Sequence, residues 1–299
     1  MPYAAVLVSM NTSTQSVAQS AQSTPATSTV AVIGATGKTG RRVAARLEAR
    51  GIAVRRLSRT SATPFLWEDE GTWEAALEAS SAAYVIFHPD LAVPGSADVV
   101  TGLAKRGRDL GVERMVLLSG RGEPGAQEAE EALLAELPHS AIVRCAWFMQ
   151  SFSEGLLRDA VLSGTICLPG PGSAVEPFLD ADDIAAVAVA ALTEPGHDGV
   201  AHELTGPDPI SLDEAAATLS TAIGQPVVHE EVSVGRFADL LGGLGVTRED
   251  GMWLGELFQG LLDGRNAHAT DGVERVLARP ATTFAGWADR AAAQGSWDR

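Results

Sequence analysis

Tyrosine and lysine are almost missing from this chain. Tyr3 and Tyr84 are its only tyrosines, Lys38 and Lys105 its only lysines, and neither tyrosine has a lysine four residues downstream. A Tyr-x-x-x-Lys pair, in which the ammonium lowers the phenol's pKa so that it can protonate a developing alkoxide, is therefore excluded. Routine ketone–alcohol interconversion by that pair goes with it. Cysteine is equally scarce. Cys145 and Cys167 fit no metal-ligand spacing and make no disulfide framework, which points to a reduced, cytoplasmic setting. No apolar run approaches the roughly 20 residues that cross a bilayer. Positive charge also falls short: 22 basic residues face 38 acidic ones, and the net charge of −16 argues against nucleic acid and anionic membranes as partners. There is no metal-binding histidine pattern and no Gly-x-Ser-x-Gly nucleophile elbow.

What the chain does have is a glycine turn in the right setting. Residues 30–33 form an apolar run, Gly34-Ala-Thr-Gly-Lys-Thr-Gly40 follows, and an amphipathic stretch from Arg41 to Arg50 ends at Gly51. This reads as a buried strand that breaks into a turn opening a helix, the arrangement that cradles a dinucleotide pyrophosphate. Gly34 allows the tight turn, Gly37 lets the backbone approach the phosphates, and Gly40 lets helix and strand pack closely. The free N–H groups and the dipole of the new helix face the anion.

Further along, Val54–Leu57, Phe65–Trp67, Ala83–Phe87, Arg114–Leu118 and Ala141–Cys145 read as strands. Helices are predicted over residues 73–79, 97–110 and 128–136. Apolar strands alternating with helices imply a parallel sheet covered on both faces, with right-handed crossovers. The fold class is therefore α/β, a Rossmann-type doubly wound sheet over residues 29–155. Residues 1–28, rich in Ser, Thr, Ala and Gln, read as a disordered extension.

Periodicity loosens after about residue 155. Short strands are predicted at residues 164–168 and 176–179, and helices at 180–192, 237–241 and 253–262; Ser211-Leu-Asp-Glu214 is a capping box opening a helix that ends at Gly224. Residues 156–299 are expected to form a smaller α+β substrate lobe over the C-terminal edge of the sheet, with the chain crossing back to it. Open α/β sheets bind ligands at that edge.

The cofactor type is read at the end of the second strand. A carboxylate there would pair with the ribose hydroxyls of NAD. Instead the chain carries Arg55-Arg56-Leu57-Ser58-Arg59, with no carboxylate before Glu68. Arg59 can grip a 2′-phosphate with its planar fork, Ser58 beside it, which favours NADP(H) over NAD(H). Arg55 and Arg56 read as a solvated strand end. His88 falls where the adenosine or the pyrophosphate would lie. Ser119-Gly120-Arg121 and Ala146-Trp147-Phe148 fall where a nicotinamide ring would sit. Trp147 and Phe148 read equally well as core aromatics or as an apolar wall.

With these residues in hand, the chain resembles the NmrA-like group of atypical short-chain dehydrogenases/reductases. The resemblance rests on Gly34-Ala-Thr-Gly-Lys-Thr-Gly40, Val116-Leu-Leu-Ser-Gly120, Arg144-Cys-Ala-Trp-Phe-Met-Gln150 and Pro177-Phe-Leu-Asp-Ala-Asp-Asp-Ile-Ala185, and runs from about residue 29 to the C-terminus. Leu66-Trp-Glu-Asp-Glu-Gly-Thr-Trp73 and the Arg144–Gln150 segment look most like the branch of ergot-alkaloid dehydrogenases, which reduce a cyclic iminium with NADPH. The group also holds NADPH quinone reductases and catalytically silent redox-sensing regulators. The resemblance implies NADP(H) at Gly34, Thr36, Gly37, Lys38, Thr39, Gly40 and Arg59, with Ser119, Trp147 and Phe148 near the nicotinamide; Ala35 within the turn, Ser58 and His88 complete the expected cofactor contacts. Cys145 stands where relatives usually have proline, and Ser151 where many have asparagine.

Hydride transfer survives the loss of the Tyr/Lys pair if the acceptor needs no such acid. An iminium carbon becomes a neutral amine on accepting hydride, and a quinone gives a stabilised anion that water can protonate; azo and enoyl acceptors need a proton sooner. The expectation is an NADPH-dependent reductase of a small-molecule hydride acceptor, with Ser119, Arg121 and Gln150 as the polar groups that orient it. A regulator that senses NADP(H) and passes the signal to a protein partner explains the missing pair as well. An isomerase or lyase with a vestigial cofactor is a third reading.

Overall fold

The alternation of apolar residues along each strand decides which layer every helix joins. The computed structural model describes residues 29–155 and 157–298; the extension read over residues 1–28 lies outside them. The first half runs β1 (Thr29–Ile33), α1 (Lys38–Ala49), β2 (Ala53–Leu57), α2 (Trp73–Leu77), β3 (Ser80–Val85), α3 (Ser96–Asp109), β4 (Arg114–Gly120), α4 (Pro124–Glu136) and β5 (Ala141–Cys145). Then follow α5 (Arg158–Ser163), β6 (Thr165–Leu168), β7 (Val175–Glu176), α6 (Ala181–Thr193), β8 (Ala201–Leu204), β9 (Ile210–Ser211) and α7 (Leu212–Ile223). The chain closes with β10 (Val228–Glu231), α8 (Val234–Gly242), α9 (Arg248–Leu261), α10 (Gly272–Leu277) and α11 (Phe284–Ala293).

Six strands make one parallel sheet in the order β2-β1-β3-β4-β5-β8. Val30 and Val32 of β1 face α1 and α6, packing with Val43, Leu47, Ile184 and Val187. Ala31 and Ile33 point the other way, to Trp73, Leu77, Leu103 and Leu133 of α2, α3 and α4. Two helical layers thus cover one sheet because successive side chains of a strand point to opposite faces. The strand order reverses direction between β1 and β3, which is a topological switch point; ligands of open α/β sheets bind at the carboxyl ends of strands there.

A third apolar cluster builds the smaller C-terminal lobe from Phe152, Phe178, Leu219, Phe237, Phe284 and Trp287. The capping box forms as read: Ser211 N–H donates to Glu214 Oε2 at 2.8 Å, Glu214 N–H donates to Ser211 Oγ at 3.1 Å, and Gly224 ends α7 in the left-handed region.

Two sequence expectations change and a third gains its residues. Phe65–Trp67 is no strand, only a segment with isolated bridges at Ser58–Pro64 and Leu66–Asp69; its aromatic rings pack on Trp73 and Phe87 instead of pairing in a sheet. The strand expected over Ala83–Phe87 starts earlier, at Ser80, and ends at Val85, so Ile86 and Phe87 leave the sheet and enter the cleft above it. The expected return of the chain to the sheet is made by a sixth strand, β8, Ala201-His-Glu-Leu204, whose position the sequence did not mark.

Candidate functional site

The loops that leave β1 to β5 converge on one cleft of about 870 Å³. The glycine turn forms its floor. Gly34 sits at φ +80°, with Ile86 already 3.0 Å from where a Cβ would project, so neither the backbone nor the space suits another residue. A Cβ on Gly40 would lie 2.2 Å from the Gly34 carbonyl oxygen: this glycine seats the first turn of α1 on the strand end. Gly37 is the N-cap of α1, and no side chain caps the helix. The N–H groups of Gly34 and Ala35 both donate to Leu57 O at 3.0 Å, and Gly37 N–H donates to Gly34 O at 2.9 Å. The first two pin the turn to β2 and the third closes the turn on itself. The helix-start amides of Lys38, Thr39 and Gly40 have no backbone acceptor among the described residues and are the ones left for an anion.

Gly34, Thr36, Gly37, Lys38, Thr39, Ser58, Arg59, His88, Ser119, Arg121, Trp147 and Phe148 all line the cleft; Ala35 and Gly40 lie beneath it. Buried Thr39 accepts at Oγ1 from Tyr84 Oη at 3.1 Å. One of the chain's two tyrosines is thereby spent under the turn, its phenol pushed far up by burial. Burial holds the Lys38 ammonium below the usual lysine pKa, against the pull of Glu154, which Arg41 and Arg42 bind.

The three arginines at the end of β2 part company. Arg55 donates to the Ala76 carbonyl at 3.0 Å and to that of Glu78, while Arg56 grips Glu48 with two bonds of 2.8 and 2.7 Å. Arg59 is exposed at the cleft's mouth and has neither hydrogen bond nor ion pair to any described residue. Glu68 lines the same end.

At the opposite end, Trp147 stacks on Phe258 of α9 with ring centroids 4.7 Å apart, and its indole N–H donates to Ser151 Oγ at 3.1 Å. Leu254, Leu257 and Leu261 extend this apolar roof along α9. The predicted polar groups are less free than their positions imply. Ser119 Oγ donates to Glu130 Oε1 at 2.5 Å, and Arg144 also binds Glu130. Arg121 is locked in place: Nε donates to Glu203 at 2.7 Å, one terminal nitrogen to the Asn266 carbonyl at 2.8 Å, and the other contacts His268 at 2.5 Å.

Gln150 is a correction. It is 1% exposed and lies outside the cleft; its Nε2 donates to Asp180 Oδ1 at 2.7 Å and its Oε1 accepts from Ala181 N–H at 2.8 Å. Its amide is consumed in tying the β5 loop to the start of α6, leaving nothing to orient an acceptor.

Two carboxyls in the cleft were missed altogether. Glu176 accepts from Trp147 N–H at 3.2 Å, and burial pushes it up to about 7 against that bond and the attraction of Arg121. Glu123 is pushed up to about 8, by burial first and then by repulsion from Asp90 and Glu130. Nothing local in the sequence marks either one as buried; Glu176 merely precedes the Pro177–Ala185 motif. The described residues contain no group of three or more His, Cys, Asp or Glu that could hold a metal, and no helix long and apolar enough to cross a membrane.

No protein-family model matches the chain. Over 215 residues it is 30% identical to the NAD(P)H azoreductase of Xenophilus azovorans, an alignment covering 67% of this chain and 73% of that one. It is 31% identical over 193 residues to festuclavine synthase II of Penicillium roqueforti, covering 59% of this chain and 65% of the relative. Among solved structures, the triphenylmethane reductase of Citrobacter sp. in complex with NADP(H) superposes with a TM-score of 0.69 at 20% identity, covering 89% of this chain and 99% of that one; at this identity the likeness speaks for the fold.

Proposed function

This chain belongs to the NmrA-like group of atypical short-chain dehydrogenases/reductases, and from that premise we propose that it is a reductase that takes hydride from NADPH and passes it to an apolar small-molecule acceptor such as an iminium, a quinone or an azo compound. One observation carries this reading: the glycine turn, an unpaired Arg59 and the aromatic wall of Trp147, Phe148 and Phe258 line a single continuous cleft. The residues fit a dinucleotide. The turn has no side chain where a pyrophosphate would approach at Gly37, and the helix-start amides of α1 are open. Lys38, Thr36 and these amides would hold the phosphates, Arg59 and Ser58 a 2′-phosphate, and Ser119 with Trp147 and Phe148 the nicotinamide end. The cofactor, when bound, supplies the hydride.

The chain's own contribution is positioning and exclusion of water. Trp147 is held in one orientation by its bond to Ser151 and its stack on Phe258, and the leucines of α9 shield the space over it. The name of one relative, an NAD(P)H azoreductase, agrees with an azo acceptor.

Preference for NADPH over NADH rests on Arg59. Its guanidinium is free to grip a phosphate, whereas Arg55 and Arg56 are committed elsewhere. Replacing Arg59 by alanine should weaken NADPH binding by about 1.5–3 kcal/mol, the range for a charged hydrogen bond, and leave NADH nearly unchanged. Nicotinamide fluorescence titrations of wild type and variant measure both affinities. Equal losses for the two cofactors would remove the role given to Arg59.

A further inference from the structure

We propose that Glu123 is the proton donor of the cleft, giving its carboxyl proton to acceptors that become anionic on taking up hydride. This rests on the reductase reading above and extends it, since the Tyr/Lys pair that usually does this work is missing. Glu123 immediately precedes α4 and holds the N-cap position, yet its side chain caps nothing. The carboxyl folds back over Gly120 instead, so closely that a Cβ there would lie 2.1 Å from Oε2. Only glycine at 120 leaves room for it.

The residue is 9% exposed, lines the cleft, and has no hydrogen bond or ion pair to its side chain from any described residue. Other buried carboxyls are all engaged. Glu130 holds Ser119 and Arg144, Asp183 holds Arg279 and Thr282 N–H, and Asp180 holds Gln150 and Arg290. The charged groups around Glu123 are Asp90 from the loop after β3 and Glu130 on α4, both acidic. The nearby cations are spoken for: Arg144 binds Glu130, and Arg121 binds Glu203. A buried carboxylate with no cation is costly, so the group keeps its proton at neutral pH. A midpoint of about 8 places the acid close to the pH at which a general acid works best.

The step balances as follows. For an azo acceptor, hydride adds to one nitrogen, the N=N π bond breaks, and its electron pair goes to the second nitrogen. The Glu123 O–H then breaks and its proton forms an N–H bond there. The products are a neutral hydrazine, the oxidised cofactor and a carboxylate that regains a proton from water. A quinone takes hydride and one proton in the same way to give a hydroquinone. An iminium ends as a neutral amine with hydride alone and makes no use of the donor. The cleft is thus equipped for acceptors whose reduced form is a basic nitrogen or oxygen anion.

The test is Glu123→Gln, which preserves shape and removes the acid. Azo turnover by the variant should fall about 10²-fold or more relative to its turnover of a cyclic iminium, with the loss in kcat rather than KM; a quinone, whose stabilised anion water can protonate, should be affected less. Wild-type turnover of the azo acceptor should decline above pH about 8 as the carboxyl ionises. A second readout needs neither cofactor nor acceptor. The folded carboxyl titrates near 8 and the unfolded one near 4.5, so this group's contribution to stability is fully present below 4.5 and is lost as pH rises through 8. Relative to Glu123→Gln, the ligand-free wild type should therefore lose melting temperature across that window, and above the Glu176 midpoint of about 7 the difference reports Glu123 without the Glu176 contribution. If the variant fails to fold, the wild-type pH profiles with azo and iminium acceptors decide. Equal effects on all acceptors, or flat pH profiles beside intact NADPH oxidation, overturn the proposal and leave the reductase reading standing. No NADPH oxidation with any acceptor class overturns both.

Discussion

Replacing Trp73 by alanine should cost about 3–5 kcal/mol of stability, the range for deleting a buried Trp side chain. Trp73 opens α2 and is 2% exposed. Its ring stacks on Phe65 at 6.2 Å and meets Trp67 edge-on at 6.3 Å, and its Nε1 donates to Leu66 O at 2.9 Å. The change therefore opens a cavity between α2, α3 and the 58–73 segment and removes one of the three donors to the Leu66 carbonyl, leaving Asp69 N–H and Thr72 Oγ1. Because Phe65 and Trp67 line the cleft beside Arg59, NADPH affinity should fall together with stability. Urea unfolding measures the first effect and cofactor titration the second. A midpoint within experimental error of wild type would show that the aromatic cluster does not brace this wall.

The second large effect is expected at Asp180. Its fully buried carboxylate accepts from Asp182 N–H at 2.9 Å as the N-cap of α6, from Gln150 Nε2 at 2.7 Å and from Arg290 at 2.7 Å. Alanine removes the cap, worth about 0.5–2 kcal/mol, and leaves the buried Gln150 amide without an acceptor, worth about 1–3 kcal/mol. Arg290, half exposed, returns to water at little cost. Together these give about 1.5–5 kcal/mol. Asp180→Asn keeps an acceptor oxygen and should recover most of it. Cofactor affinity of the folded fraction should stay near wild type, because neither Asp180 nor Gln150 lines the cleft. A specific loss of acceptor turnover at unchanged stability would restore Gln150 to the active site and refute its structural assignment.

How much was legible from residues alone follows from the range of the interactions. The glycine turn is local: strand, three glycines and helix lie within about twenty residues, although the space at Gly34 is also limited by Ile86, just past the end of β3. The capping box of α7 is local too, and both of its bonds formed. Arg59 was separable from Arg55 and Arg56 only in part, since what commits Arg55 is the end of α2, twenty residues away. Phe65–Trp67 misled because aromatic residues favour strands, while here their rings serve a cluster that walls the cleft. β8 escaped notice because Ala201-His-Glu-Leu204 is short, half polar and an edge strand. The substrate end was the least legible. Arg121 is fixed by Glu203, Asn266 and His268, residues more than eighty positions later. The burial of Glu123 comes from the β3 loop and α4 closing around it, and no motif records that. The sequence alone therefore described a cofactor site without an acid; the folded chain buries two carboxyls, Glu123 and Glu176, in its lining.

The central claim, that this cleft transfers hydride rather than merely detecting the nucleotide, is tested most directly by mixing purified protein and NADPH with a quinone, a cyclic iminium and an azo dye in turn and following NADPH absorbance. Acceptor-dependent oxidation with at least one class, faster with NADPH than with NADH, is the predicted result. NADPH that binds tightly yet is consumed with none of the three would contradict the account and mark the protein as a sensor of the cofactor.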